Sequence, residues 1–328
     1  MRNKVTNNRS GFIDIIRFIA ALLIMAHHMY HIGLQYYPFW DCWIYTEFFL
    51  LITGYFTAKH FENYGGGNRS KDAILYTIKK FVPIVPYAWL VTLFAWITEI
   101  ILGMMYQGWT WEWIFKYYLS GDFIFDLLLV SDSYSHPLVG PLWYISAMLI
   151  VFPLFSLFIQ FLQKYTRIIF CFIVPMLYYG WIGVEGVRNF PHDFLRVFAG
   201  MMLGVLIFDL SSVIKASNYV MGVRKRFRFL MTIVEVICFI LPIVCCCLNL
   251  KTFRLDYLCF CVGLLIAFSN ISYSNRIPNR FGFLGRISMP MYVFHWWIGT
   301  VVRYISNACG LMEQRCLFTT RYQLFSLL

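Results

Sequence analysis

Long apolar runs separated by short polar stretches fill the 328-residue chain. The runs lie near 12–33, 39–59, 81–103, 138–162, 167–183, 192–210, 229–250, 255–273 and 288–306. Each is close to the length a helix needs to cross the hydrocarbon core of a bilayer. No stretch keeps the two-residue alternation of a barrel strand for long, so an outer-membrane barrel is excluded. The pattern predicts an all-α fold: a polytopic transmembrane helical bundle of about 9–10 spans, forming one integral domain over residues 1–328. Residues 1–33 open on basic side chains and an apolar run, as a secretory leader does. That run is about twenty residues, longer than a leader's core, and no small-residue cleavage site follows, so it is expected to remain as the first span. Neither an internal repeat nor paired Gly/Pro-broken helices hint at the inverted halves of a transporter.

Composition agrees: 60% of residues are hydrophobic and 13% charged, with a mean hydropathy of +0.66, where soluble domains are about a quarter charged. The net charge of +11 acquires a meaning from its placement. Most of the 27 basic side chains fall in alternate loops, beginning with Arg2, Lys4 and Arg9. The same set takes in Lys71, Lys79 and Lys80, then Lys164 and Arg167, then Arg224, Lys225, Arg226 and Arg228, and finally Arg276, Arg280 and Arg286. The opposite loops and the tail hold six, and Arg17, Arg196 and Arg303 lie within spans. By the positive-inside rule the N-terminus is cytoplasmic, and the basic excess is a topology signal rather than a nucleic-acid footprint. Of the ten cysteines, most lie in apolar spans, where they pack as small hydrophobes. No Cys/His spacing resembles a zinc site, so no metal is expected.

The first span carries the chemistry. In "DIIRFIAALLIMAHHMYH", residues 14–31, an aspartate, an arginine and three histidines interrupt a membrane helix, where a charged group costs about 2.5–3.5 kcal/mol on insertion scales. Arg17 and His28 are eleven positions apart, which at 100° per residue returns them to within about 20° of one line, roughly 16 Å apart along the axis. Asp14 precedes Arg17 by three residues and His31 follows His28 by three, so both join the stripe. His27 falls about 80° to the side. Two further intramembrane groups, Glu47 in the second span and His295 in the last clear span, point to a shared polar cavity. Glu99, Asp193, Arg196, Asp209 and Glu235 sit nearer span ends and are expected at boundaries or in helix pairing. The segment 104–137 is rich in tryptophan and tyrosine. It fits an interfacial belt, with a sugar-stacking platform as the sharper reading; Trp109, Trp111 and Trp113 alternate and cannot share one helix face.

These stretches resemble the acyltransferase-3 family of integral-membrane O-acyltransferases. "DIIRFIAALLIMAHH" is similar to the family's first helix, in which a histidine follows an arginine by eleven positions; here these are Arg17 and His28. "EFFLLITGYF" (47–56) resembles the second-helix motif, with Thr53 where serine is usual. "KKFVPIVPYAWL" (79–90) resembles the basic entry to the third span, with lysines where arginines are commoner. "PLWYISAMLIVFP" (141–153) and "LGRISMPMYVFH" (284–295) resemble the Trp-Tyr segment and the closing motif that ends in histidine. The resemblance covers nearly the whole chain. The family usually has ten spans, and the last twenty residues, "CGLMEQRCLFTTRYQLFSLL", are too polar to supply the tenth. A truncated or atypical final span is the expectation.

The resemblance implies an acyltransferase in the cell membrane (the cytoplasmic membrane in a bacterium) that takes an acyl group from acetyl-CoA. Its acceptor would be a hydroxyl of a cell-envelope glycan, free or lipid-linked. Acyl transfer to a hydroxyl needs a base or an acyl-carrying nucleophile, and a cation or dipoles for the oxyanion. His28 is the candidate for base or nucleophile, neutral in a desolvated site. Arg17 is the candidate for binding the donor's phosphates or orienting its thioester. Lys79, Lys80, Arg224 and Arg226 are candidate docking charges for the polyanionic donor, and His295 and Glu47 candidates for shaping the site. The competing readings are a transporter or flippase for a lipid-linked glycan, whose path the stripe would line, and a membrane sensor or ligand-binding module.

Overall fold

A computed structural model describes residues 10–28, 39–62, 68–106, 108–118, 122–130, 138–185, 192–217 and 225–308. Among the described residues there is no strand. The chain begins with α1 (Gly11–His27), then a 3-10 turn (Trp40–Ile44) that runs directly into α2 (Tyr45–Glu62). Next come α3 (Arg69–Phe81), α4 (Val85–Tyr106), the short α5 (Trp111–Trp113) with a π-helical turn after it, and α6 (Asp122–Leu127). Six long helices complete the bundle: α7 (Leu142–Phe161), α8 (Lys164–Glu185), α9 (His192–Ala216), α10 (Lys225–Cys247), α11 (Phe253–Ser269) and α12 (Gly282–Ala308). Each of the nine apolar runs thus coincides with one of α1, α2, α4 and α7 to α12. Of these, α4, α7, α9 and α10 are long and apolar enough by themselves to cross a membrane. The final twenty residues lie outside the described part of the chain.

Local chemistry explains the helix ends. The Asn68 side chain accepts a hydrogen bond from the Lys71 amide at 3.2 Å and so caps α3, filling one of the orphan donors of a helix start. α11 stops at Asn270, whose φ of 60° is the left-handed conformation that ends helices. Prolines 153, 175, 242 and 290 sit inside long helices. Membrane helices tolerate them because neighbouring groups satisfy the freed carbonyls.

Packing follows membrane rules. α2 lies closest on α9, and α1 on α12. At the first contact a Cβ on Gly54 would land on the Met201 carbonyl, and one on Gly204 on the Leu51 carbonyl. Two glycines therefore let the backbones approach, as small residues do between membrane helices. The outer surfaces are apolar: Trp89, Leu93, Ile97 and Ile101 on α4, Ile169, Ile173 and Leu177 on α8, and Ile233, Ile237 and Ile240 on α10 are exposed. Stripes of this extent mark contact with lipid, and this is a membrane protein.

Arg167 is a charge held inside the bundle by carboxylates. Arg167 does not stand in a loop as its sequence position suggested; it is 7% exposed. Its Nε and Nη2 donate to the two Asp209 oxygens at 2.9 and 2.5 Å, and Nη2 lies 3.4 Å from Glu62 Oε2. This fork joins α8, α9 and α2. Glu235 is buried on α10 and accepts from Ser274 Oγ at 2.8 Å. All eight described cysteines are free, and six of them are buried.

Candidate active site

α1 and α12 run side by side in one direction. A Cβ on Gly11 would collide with the Pro278 carbonyl, and seventeen residues further along both helices His28 meets His295. The same register sets Arg17 beside residue 284 and brings Arg286 to the level of Arg17, about 14 Å along the axis from His295.

The two histidines form a hydrogen-bonded pair. His295 Nε2 lies 2.9 Å from His28 Nδ1, with the ring centroids 4.9 Å apart. His295 Nδ1 lies 2.6 Å from the Tyr292 carbonyl. A carbonyl only accepts, so Nδ1 of His295 carries the proton and its Nε2 is the acceptor. His28 Nδ1–H then donates to His295 and, in a three-centre bond, to the Ile24 carbonyl at 2.9 Å. On this assignment Nε2 is the His28 ring nitrogen not engaged with His295. His295 is buried and His28 half-buried. Trp296 stands edge-on to His28 at 5.3 Å. His27 turns sideways onto Trp40 at 5.8 Å, as its angle on the helix required. His31 lies outside the described residues.

A cavity of about 380 Å³ opens between α1, α2, α3, α4, α7 and α12. Arg17, Lys80 and Arg286 bring three cations to it, and Thr46, Thr53, Ser288, Tyr144 and Tyr292 add hydroxyls. Most of the rest of the lining is apolar, including Phe49, Phe81, Ile145, Met148 and Phe152. Pro290 stands in its α12 wall. Proline has no amide to bond the Arg286 carbonyl, and Arg286, Ser288, Met289 and Pro290 all line the cavity beside this break. Arg17 also approaches Asp14 Oδ1 at 3.4 Å. Lys80 opens onto the cavity, and its pKa is lowered from the usual lysine value, first by burial and then by Arg17.

His28 and His295 are not part of that lining. The pair stands about one helical turn beyond Tyr292, the cavity residue whose carbonyl orients His295. Arg17 thus lines the cavity, whereas His28 is not among its lining residues. Glu47 belongs elsewhere too. Fully buried, it accepts from Arg196 Nε and from the Tyr179 hydroxyl at 2.8 Å, and Tyr257 donates to Tyr179 at 2.6 Å. The Arg196 guanidinium is held between the Trp43 and Trp143 rings, 5.0 Å from each centroid. It touches the cavity through Thr46, whose Oγ1 accepts from Nη2 at 2.8 Å. Glu47 is thus engaged by Arg196 and Tyr179, which ties α2 to α9 and α8. Arg196 performs the helix-pairing role expected of it, linking α9 to α2.

The remaining docking candidates divide. Lys80 lines the cavity, whereas Lys79 on α3 and Arg226 at the start of α10 are exposed away from it. Arg224 lies outside the described residues. Sequence reasoning missed Arg286, which was counted as one more loop charge. Its signal was present: it stands nine residues before His295, and Arg17 precedes His28 on a parallel helix at a similar distance. In the aromatic segment Trp109 and Trp113 stack on each other at 4.4 Å, while Trp111 is exposed. The three rings do not share a face.

Among the described residues no group of three His, Cys, Asp or Glu side chains is arranged to hold a metal ion. The model of a family described as an acyltransferase domain matches residues 10–318, nearly the whole chain. No curated protein and no solved structure matches.

Proposed function

Because the chain belongs to this acyltransferase family and is an acyltransferase of the membrane, we propose that it moves an acetyl group from acetyl-CoA to a cell-envelope polysaccharide. The acceptor atom is a hydroxyl of that glycan. The nine long helices cross the bilayer with the N-terminus in the cytoplasm, which puts Arg17, Lys80 and Arg286 at the side where the donor is made.

The observation that carries this reading is the arrangement along α1 and α12: three cations in one cavity, and a hydrogen-bonded histidine pair about 14–16 Å further on. An acyl-CoA has the same order, with phosphates at one end of a flexible arm and a thioester at the other. The cations hold the phosphates, and the apolar lining takes the arm. The thioester then lies towards His28. His28 Nε2 accepts the proton of the acceptor hydroxyl as its oxygen attacks the thioester carbonyl, and the resulting imidazolium returns that proton to the departing thiolate. His295 acts through His28: it takes the Nδ1–H bond and so fixes which nitrogen is basic.

The test is a comparison of envelope glycans from cells with the protein, without it, and with His28→Ala or Arg17→Ala at equal membrane abundance. An ester that mild alkali removes is expected only with the unaltered protein. A glycan moved across the membrane with no such ester would replace acyl transfer with transport. Retained ester in either variant would remove that residue from the mechanism.

A further inference from the structure

α3 is too short to cross a bilayer, at 13 residues, and yet it exposes an apolar face. Ile74, Leu75 and Ile78 are 53%, 42% and 49% exposed, and Val82, just after the helix, is 59% exposed. At 100° per residue these four fall within an arc of about 100°. Ala73, Tyr76 and Thr77 are buried away from that arc, where α3 packs on α7, and Phe81 is buried at its edge. Lys71 is exposed within the apolar arc and Lys79 is exposed about 40° beyond its edge. The one acid of the helix, Asp72, is buried.

We infer that α3 is a membrane-surface helix whose outer face is seated among anionic lipid headgroups, while its inner face holds Lys80 at the cavity. Two observations select lipid over a protein partner. The exposed arc continues through Val82 into the lipid-facing stripe of α4, which exposes Trp89, Leu90 and Leu93, so one apolar surface runs from α3 into the bundle wall. The outer charges are all positive and sit on long stems that reach upward from an apolar face to headgroup level. Lys80 lies on the other side, about 180° from Lys71. The helix therefore presents one lysine inward to the cavity and two outward. This inference rests on the membrane placement of the chain and is independent of the reaction assigned to it.

The test follows hydrogen–deuterium exchange of residues 70–82 in the full-length protein, reconstituted in nanodiscs of phosphatidylcholine alone or with about one third phosphatidylglycerol. Exchange of α7 and α9 amides reports whether the bundle is intact. In the anionic discs α3 is expected to exchange about tenfold more slowly, in line with the attraction of two lysines to a charged leaflet. Lys71→Glu with Lys79→Glu should erase the difference between the two lipids, and Ile74→Ser with Ile78→Ser should speed exchange in both. Equal exchange in the two lipids, or a difference that survives reversal of both lysines, overturns the inference. So does slowing by inorganic phosphate in neutral discs to the same degree, which would make the lysines a soluble-anion site.

Discussion

At His28 one proton position determines what the side chain does. The Tyr292 carbonyl fixes the His295 tautomer, and His295 in turn fixes that of His28. Loss of a group that holds a catalytic histidine in its tautomer lowers turnover by as much as about 10⁴. His295→Leu is accordingly expected to lower kcat by two orders of magnitude or more, while KM for the donor stays within about twofold because His295 does not line the cavity. His295→Gln, whose amide oxygen accepts the same bond, should recover part of that loss. If both variants lose kcat equally, the contribution of His295 is packing. Lys80 gives a different signature. Its pKa is lowered by burial and by Arg17, so it loses its proton at a lower pH than a lysine in water. In the proposed reaction its help in donor binding is therefore full below that lowered pKa and lost as pH rises through it. We expect kcat/KM for the donor to fall on the alkaline side, since that ratio reports the free enzyme. Lys80→Arg should move the fall to higher pH, because a guanidinium keeps its charge. Lys80→Met should lower the ratio throughout and flatten that limb. An alkaline limb that is unmoved in Lys80→Arg would take Lys80 out of donor binding.

At the scale of helices, apolar run length and the absence of strand alternation were enough to locate α1, α2, α4 and α7 to α12. A bilayer demands that every backbone amide be satisfied within its own segment, which ties secondary structure to hydropathy more closely than in water. The pairing of those helices was less legible. Gly54 sits in "ITGYF" and Gly204 in "MLGVL", and either could have faced lipid. Only the structure shows them set against opposing backbone. Because the obstruction is a carbonyl and not a flexible side-chain tip, neither site can absorb a methyl group without moving a helix. Overpacking of this kind costs about 1–3 kcal/mol. Gly54→Ala and Gly204→Ala are each expected to lower the thermal unfolding midpoint in detergent by several degrees and to reduce the folded yield. Gly180→Ala, where a Cβ would meet nothing within 4 Å, is the control and should lower neither, since alanine is the better helix former.

Across the whole molecule, what the sequence concealed was which polar residue answers which. The Arg17–His28 stripe was visible because a single helix carries both ends. The His28–His295 pair, 267 positions apart, depended on α1 and α12 lying parallel in one register, which periodicity does not specify. Glu47 looked like a site residue for the same reason that Arg167 looked like a loop charge. Sequence gives the depth of a charge but not the helix that faces it, and the partners were Arg196 on α9 and Asp209 on the same helix. α9 thus neutralises two buried charges from two neighbours, one near each of its ends. Removing one member of a buried pair leaves the other uncompensated and costs about 3–5 kcal/mol, whereas replacing both with apolar groups is often neutral. Arg167→Met is therefore expected to destabilise the bundle severely, with loss of folded protein on size-exclusion chromatography. Asp209→Leu alone should do less damage, because Glu62 still approaches the arginine at 3.4 Å. The double variant should recover most of the stability lost by Arg167→Met, and its acyl transfer should match the unaltered protein because the pair stands apart from both cavity and histidines. A double variant that folds but does not transfer acyl groups would instead make this ion pair part of the working site, and the separation drawn between Arg167 and the cavity would fail.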